Sequence, residues 1–143
     1  KTKFAGLPEF VKKTKSENNI RWTLIIDPAI QGDAKNYDVF TEGLNKDVFV
    51  KWPHDMPESE RPLPKNVPQN KDILYGKVWP HGPAAFPDFL KNDTKTWWKN
   101  QIKALHKEVQ FDALWIDMNE VCVYMINISK CIKLSKLWLT LFF

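Results

Sequence analysis

Two carboxylates in this sequence follow at once on short apolar runs. Asp27 ends Arg21-Trp22-Thr23-Leu24-Ile25-Ile26, and Asp117 ends Phe111-Asp112-Ala113-Leu114-Trp115-Ile116. An ionised carboxylate can attack an electrophilic carbon, relay a proton, or accept hydrogen bonds from the loop that follows it. Asp117 opens the denser cluster, Asp117-Met118-Asn119-Glu120, with the Trp115 indole just before it and a second carboxyl, Glu120, just after. Other chemistries find no residues to carry them. His54, His81 and His106 lack metal-ligand spacing, no C-x-x-C or H-E-x-x-H occurs, and there is no glycine-rich phosphate loop. Neither a metal nor a cofactor is expected. Cys122 and Cys131 fall in the last stretch, which leaves the body of the chain without a cysteine framework.

Something must hold these carboxylates in place. The β-branched, apolar character of residues 21–26 and 111–116 predicts two strands, and their lack of strict alternation predicts burial on both faces, as in a parallel sheet. Leu7, Phe10 and Val11, with Pro8 in the first turn, predict a helix over residues 6–13. A second helix follows Asp93 or Thr94 as its cap, with Trp98, Ile102, Leu105 and Val109 on one apolar stripe. Trp97 and Trp98 are expected to pack this helix against the sheet. Between the first strand and the second helix, residues 31–87 are rich in Pro, Asn, Asp and Lys and predict a long, mostly irregular insertion of the kind that walls active sites. Helix, strand, long loop, helix, strand is the order of an α/β chain that forms part of a (β/α)8 barrel. In such a barrel the C-terminal ends of the strands face the active site, which makes Asp27 and Asp117 placed reagents.

Composition bounds the function without naming it. The chain has 143 residues, 43% hydrophobic and 27% charged, as in an ordinary globular domain. Its formal charge of +4 gives no stripe for nucleic acid, because Lys130, Lys133 and Lys136 lie beyond the last acid and the rest is nearly neutral. Seven tryptophans suit large cores and the flat apolar faces of sugar rings alike.

The run Trp115-Ile116-Asp117-Met118-Asn119-Glu120 resembles the signature of family 31 glycoside hydrolases, the α-glucosidase family. Leu24-Ile25-Ile26-Asp27-Pro28-Ala29-Ile30, Asp47-Val48-Phe49-Val50-Lys51, Gly76-Lys77-Val78-Trp79-Pro80, Phe86-Pro87-Asp88-Phe89 and Trp97-Trp98 recur in the same order in that family. The likeness covers residues 4–121 and points to the intestinal maltase-glucoamylase and sucrase-isomaltase group. It implies a TIM barrel and hydrolysis of α-glucosidic bonds in maltose- or starch-type oligosaccharides by a retaining double displacement, with Asp117 as nucleophile. Trp79, Trp115, Met118 and Ile25 match positions that wall the glucose pocket. Asp27 is expected to anchor the turn into the insertion. Glu120 is expected to support the site, since the family's acid/base is an Asp on a later strand. Asn92-Asp93-Thr94 is a glycosylation sequon, as is Asn127-Ile128-Ser129. The first would suit a secreted or lumenal parent protein, which could carry a membrane anchor.

The likeness fades after Val121. Residues 122–143, ending Leu137-Trp138-Leu139-Thr140-Leu141-Phe142-Phe143, are expected to be an aberrant tail on a fragment of about two β/α units. Such a fragment would lack the acid/base and be inactive and poorly soluble alone. The competing expectation is a truncated, non-catalytic product that at most binds carbohydrate through its aromatic residues.

Overall fold

The computed structural model describes residues 4–32, 37–68, 70–79 and 81–118. Glu120, the sequon at Asn127 and the expected tail over 122–143 lie outside the described residues. The chain divides into two compact units, one of residues 1–27 and 98–117, the other of residues 28–97 and 118–143.

In the first unit, α1 runs Leu7–Asn18. It outlasts the expected helix because nothing after Lys13 breaks it until Asn19, which turns left-handed (φ 54°) and donates its N–H to the Thr14 carbonyl. Gly6 stands at the other end with φ 82°, a conformation open to glycine. β1 (Thr23–Ile26) and β5 (Ala113–Ile116) pair in parallel, residue for residue, Thr23 with Ala113 through Ile26 with Ile116. The first unit also takes the later part of α3, which spans Asn92–Val109. Val11, Val109 and Phe111 form its core, with Leu7, Trp22, Leu24, Ile102, Leu105 and Leu114 packed against them. The Trp22 indole donates to Thr14 Oγ1 at 2.8 Å, which ties the start of β1 to α1. Asp112 does the same for β5, accepting from Lys15 Nζ at 2.8 Å and from the Trp22 backbone N–H at 2.9 Å.

Burial of both strand faces is the expectation this unit overturns. Leu24 and Leu114 turn to the helices, whereas Ile25 and Trp115 are each 56% exposed on the other side. The physical reason is the number of layers within the unit: helices cover one face of this two-stranded sheet, and a strand buries only the faces that something covers. Phe10, expected in the apolar stripe, is likewise exposed and meets Trp22 edge-on at 5.6 Å.

In the second unit most described residues of 31–87 lie outside helices and strands, yet the stretch contains short regular elements that composition did not suggest. β2 (Ile30–Gln31), β3 (Tyr75–Gly76) and β4 (Ala84–Ala85) form an antiparallel sheet in the order β2-β4-β3. α2 (Asp38–Asn45) precedes a segment bridged at Phe49 to Pro87 and at Lys51 to Ile73. The unit has a core of its own, Trp52, Leu74 and Phe86, with Ala29, Val50, Met56 and Val78 packed on it. Phe49 lies between the rings of Phe40 (5.3 Å) and Trp97 (6.0 Å). Strands of two residues display no period, which is why composition alone suggested a loop. Arg61 closes the Pro-rich stretch by donating to Asp72 Oδ1 at 2.8 Å and to the Met56 carbonyl at 3.0 Å.

Thr94 is also corrected. α3 begins at Asn92, so Thr94 lies inside its first turn, fully buried, and its hydroxyl donates to the Val48 carbonyl at 3.2 Å rather than capping the helix.

Candidate active site

The parallel register carries the site. Ile26 and Ile116 are partners, so the next residue on each strand, Asp27 and Asp117, leaves the sheet at the same end. Alternation continued one step past the strands puts Asp27 on the side of Ile25, and Asp117 on the side of Trp115. Ile25 and Trp115 are themselves register partners. Four of the seven described candidates are thus gathered in one unit: two carboxyls at the strand ends and, just before them, an isoleucine and an indole on the open face.

The Asp27 carboxyl feels both its surroundings and its neighbour. Burial raises the Asp27 carboxyl above its ordinary value, and the negative charge of Asp117 raises it further. Both residues are half-buried. The following Pro28 is fully buried, which fixes the chain as it leaves β1. Chemically, this is a carboxylate beside a flat aromatic face, an arrangement suited to a ring with both hydroxyl groups and apolar C–H surface.

Trp79 and Met118 belong to the second unit. Trp79 is 77% exposed beyond β3, a large apolar surface left open to a ligand or to other protein. Met118 has φ 53°, a left-handed conformation uncommon for a side chain of its size. No sequence signal pointed to it, since Gly, Asn and Asp are the usual occupants. Asn92 is exposed at the first position of α3. Sequence reasoning also missed Asp112, although a lone acid within an apolar run was a visible signal. Its carboxyl is held below the usual range chiefly by the hydrogen bond from Lys15, then by that from the Trp22 backbone.

Among the described residues no group of His, Cys, Asp and Glu side chains could hold a metal ion, and no helix is long and apolar enough to cross a membrane.

Comparison with known proteins supplies the context. The model of the glycosyl hydrolases family 31 TIM-barrel domain matches residues 1–139. Intestinal sucrase-isomaltase of Suncus murinus is 37% identical over 82% of this chain, and lysosomal alpha-glucosidase of Mus musculus is 37% identical over 82% of it. The chain spans 7% of the length of the first and 11% of the second. Among solved structures, the alpha-1,4-glucan lyase of Gracilariopsis lemaneiformis superposes with a TM-score of 0.63 at 20% identity, covering 80% of this chain and 12% of the lyase, a likeness of fold. The paired strands ending in Asp27 and Asp117 are therefore part of a barrel of known type, and the chain belongs to glycosyl hydrolase family 31, within its TIM-barrel domain.

Proposed function

We propose that this chain is the nucleophile-bearing part of a retaining α-glucosidase acting on maltose- or starch-type oligosaccharides. The observation that carries the reading is the parallel pairing of β1 with β5, which leaves Asp117 at a strand end beside the open indole of Trp115. An Asp117 oxygen attacks the anomeric carbon as the bond to the leaving oxygen breaks, and that oxygen takes a proton from a general acid. Water then attacks the same carbon, gives up a proton to the conjugate base, and releases Asp117. Two inversions return the original anomer. Trp115 and Ile25 cover the apolar face of the sugar, and Trp79 and Met118 are assigned sugar-contacting roles by their match to the family's motifs. Asp27 shapes the electrostatics of the strand end, and Glu120 is assigned a supporting role on the family resemblance alone.

A retaining site needs its acid roughly 5–5.5 Å from the nucleophile, on the far side of the scissile bond. In our reading that acid comes from another part of the barrel, so the 143-residue chain turns over no substrate by itself. The parent protein works in a secreted or lumenal setting, a reading supported by the exposed sequon asparagine Asn92.

The test is a chimera in which residues 4–121 replace the matching segment of a sucrase-isomaltase barrel. It should hydrolyse maltose with α-glucose as the first product by proton NMR. Asp117→Asn should lower kcat by about 10³-fold or more, the scale of losing a covalent catalyst. β-Glucose as the first product, or an Asp117→Asn chimera of undiminished activity, would refute the proposal.

A further inference from the structure

The two ends of the sequon Asn92-Asp93-Thr94 have opposite fates in the fold. Asn92 is exposed at the start of α3, whereas Thr94 has no exposed surface. Its hydroxyl donates to the Val48 carbonyl at 3.2 Å, and the same carbonyl accepts the Asp88 backbone N–H at 2.7 Å. Val48 is itself fully buried, and its neighbour Asp47 is clamped by Lys91, whose Nζ reaches the Asp47 carbonyl at 2.8 Å and Oδ2 at 3.1 Å. These contacts join residues far apart in sequence, so they exist only once the second unit has folded.

A transferase that glycosylates Asn-x-Thr must reach the threonine hydroxyl as well as the asparagine amide, since the hydroxyl defines the sequon. In the folded unit one of the two is sealed and both are wound into an 18-residue helix. We infer that Asn92 is a glycan acceptor only before the Val48–Thr94 contact closes, so that folding of the second unit and glycosylation compete for the same hydroxyl. Once attached, the glycan is compatible with the fold, because Asn92 faces solvent and Thr94 remains free to close on Val48. Thr94 therefore serves twice, first as a recognition element and then as a buried staple. The biological use of this device rests on the secreted or lumenal reading above. The chemistry can be tested without it.

The experiment uses the full chain carrying Asn127→Gln, which leaves Asn92 as its one sequon, with a single-subunit oligosaccharyltransferase and a lipid-linked oligosaccharide. Refolded chain is compared with chain diluted from denaturant into the reaction, at equal residual denaturant, and the glycan is mapped to Asn92 by mass spectrometry. The initial rate should be at least about ten-fold higher for the chain entering unfolded, because the folded sequon is available only through local opening. Phe49→Ala, which loosens the Phe40-Phe49-Trp97 packing and keeps the sequon intact, should make the refolded chain a faster acceptor than its parent. Equal rates for folded and unfolded chain, or no glycan at Asn92 from either, would overturn the inference.

Discussion

At the scale of single residues, the carboxyls define what can be measured. Asp27 has its pKa raised by burial and by Asp117, so the folded state binds its proton more tightly than the unfolded chain does. Its contribution is fully present below the unfolded value of 3.8 and is lost as pH rises through the folded value. Asp27→Asn should therefore gain stability over the parent as pH rises from 3 towards 7, measured by urea denaturation at a series of pH values. Asp112 has the opposite sign. Its lowered pKa stabilises the fold above 3.8 and is lost as pH falls through the folded value, so Asp112→Asn should lower the melting temperature at neutral pH and make little difference in strong acid. Tyr75 gives a third case: its phenol is pushed up to about 12 by burial and has no hydrogen-bond partner among the described residues. Removing a buried hydroxyl that makes no bond relieves its desolvation, so Tyr75→Phe should be neutral or stabilising by about 1 kcal/mol in chemical denaturation.

At the scale of elements, the sequence revealed what repeats and concealed what does not. The stripe Trp98, Ile102, Leu105, Val109 was legible because a helix imposes a period on burial, and the runs before Asp27 and Asp117 were legible from their β-branched, apolar character, though not the one-sided burial they adopt. Asp27 and Asp117 were legible as strand-end carboxylates, whereas the pairing that sets Ile25 opposite Trp115 became visible only in the fold. The β2-β4-β3 sheet was not legible, since its strands are two residues long and its core residues Trp52, Leu74 and Phe86 are scattered among prolines. Thr94 was misread because a threonine near a helix start looks like a cap until the chain brings Val48 over it. Packing in this second unit is close. A Cβ placed on Gly43 would come within 2.6 Å of the Phe49 ring and 3.2 Å of Val48 Cγ2. Gly43→Ala should accordingly cost about 1–3 kcal/mol by displacing Phe49 from between Phe40 and Trp97, read as a lower midpoint in urea.

At the scale of the whole molecule, the open faces describe a part of something larger. Ile25 and Trp115 occupy an uncovered side of a two-stranded parallel sheet, and parallel sheets bury both sides when complete. The relatives agree in extent, since the chain spans 7% of sucrase-isomaltase and 11% of lysosomal alpha-glucosidase. Family membership explains why these apolar positions persist on an open face: in a TIM barrel the interior is filled by layers of side chains, and the strand ends form the active site.

The most direct test of the central claim is to trap the intermediate. Incubating the chimera that carries residues 4–121 with 5-fluoro-glucosyl fluoride, a reagent that slows release of the glycosyl-enzyme, should add one fluoroglucosyl group per barrel. Peptide mapping should place it on the Asp117 carboxylate, and Asp117→Asn should abolish it. A label carried by Asp27, or an active chimera that accumulates no labelled peptide, would contradict the assignment of Asp117 as the nucleophile.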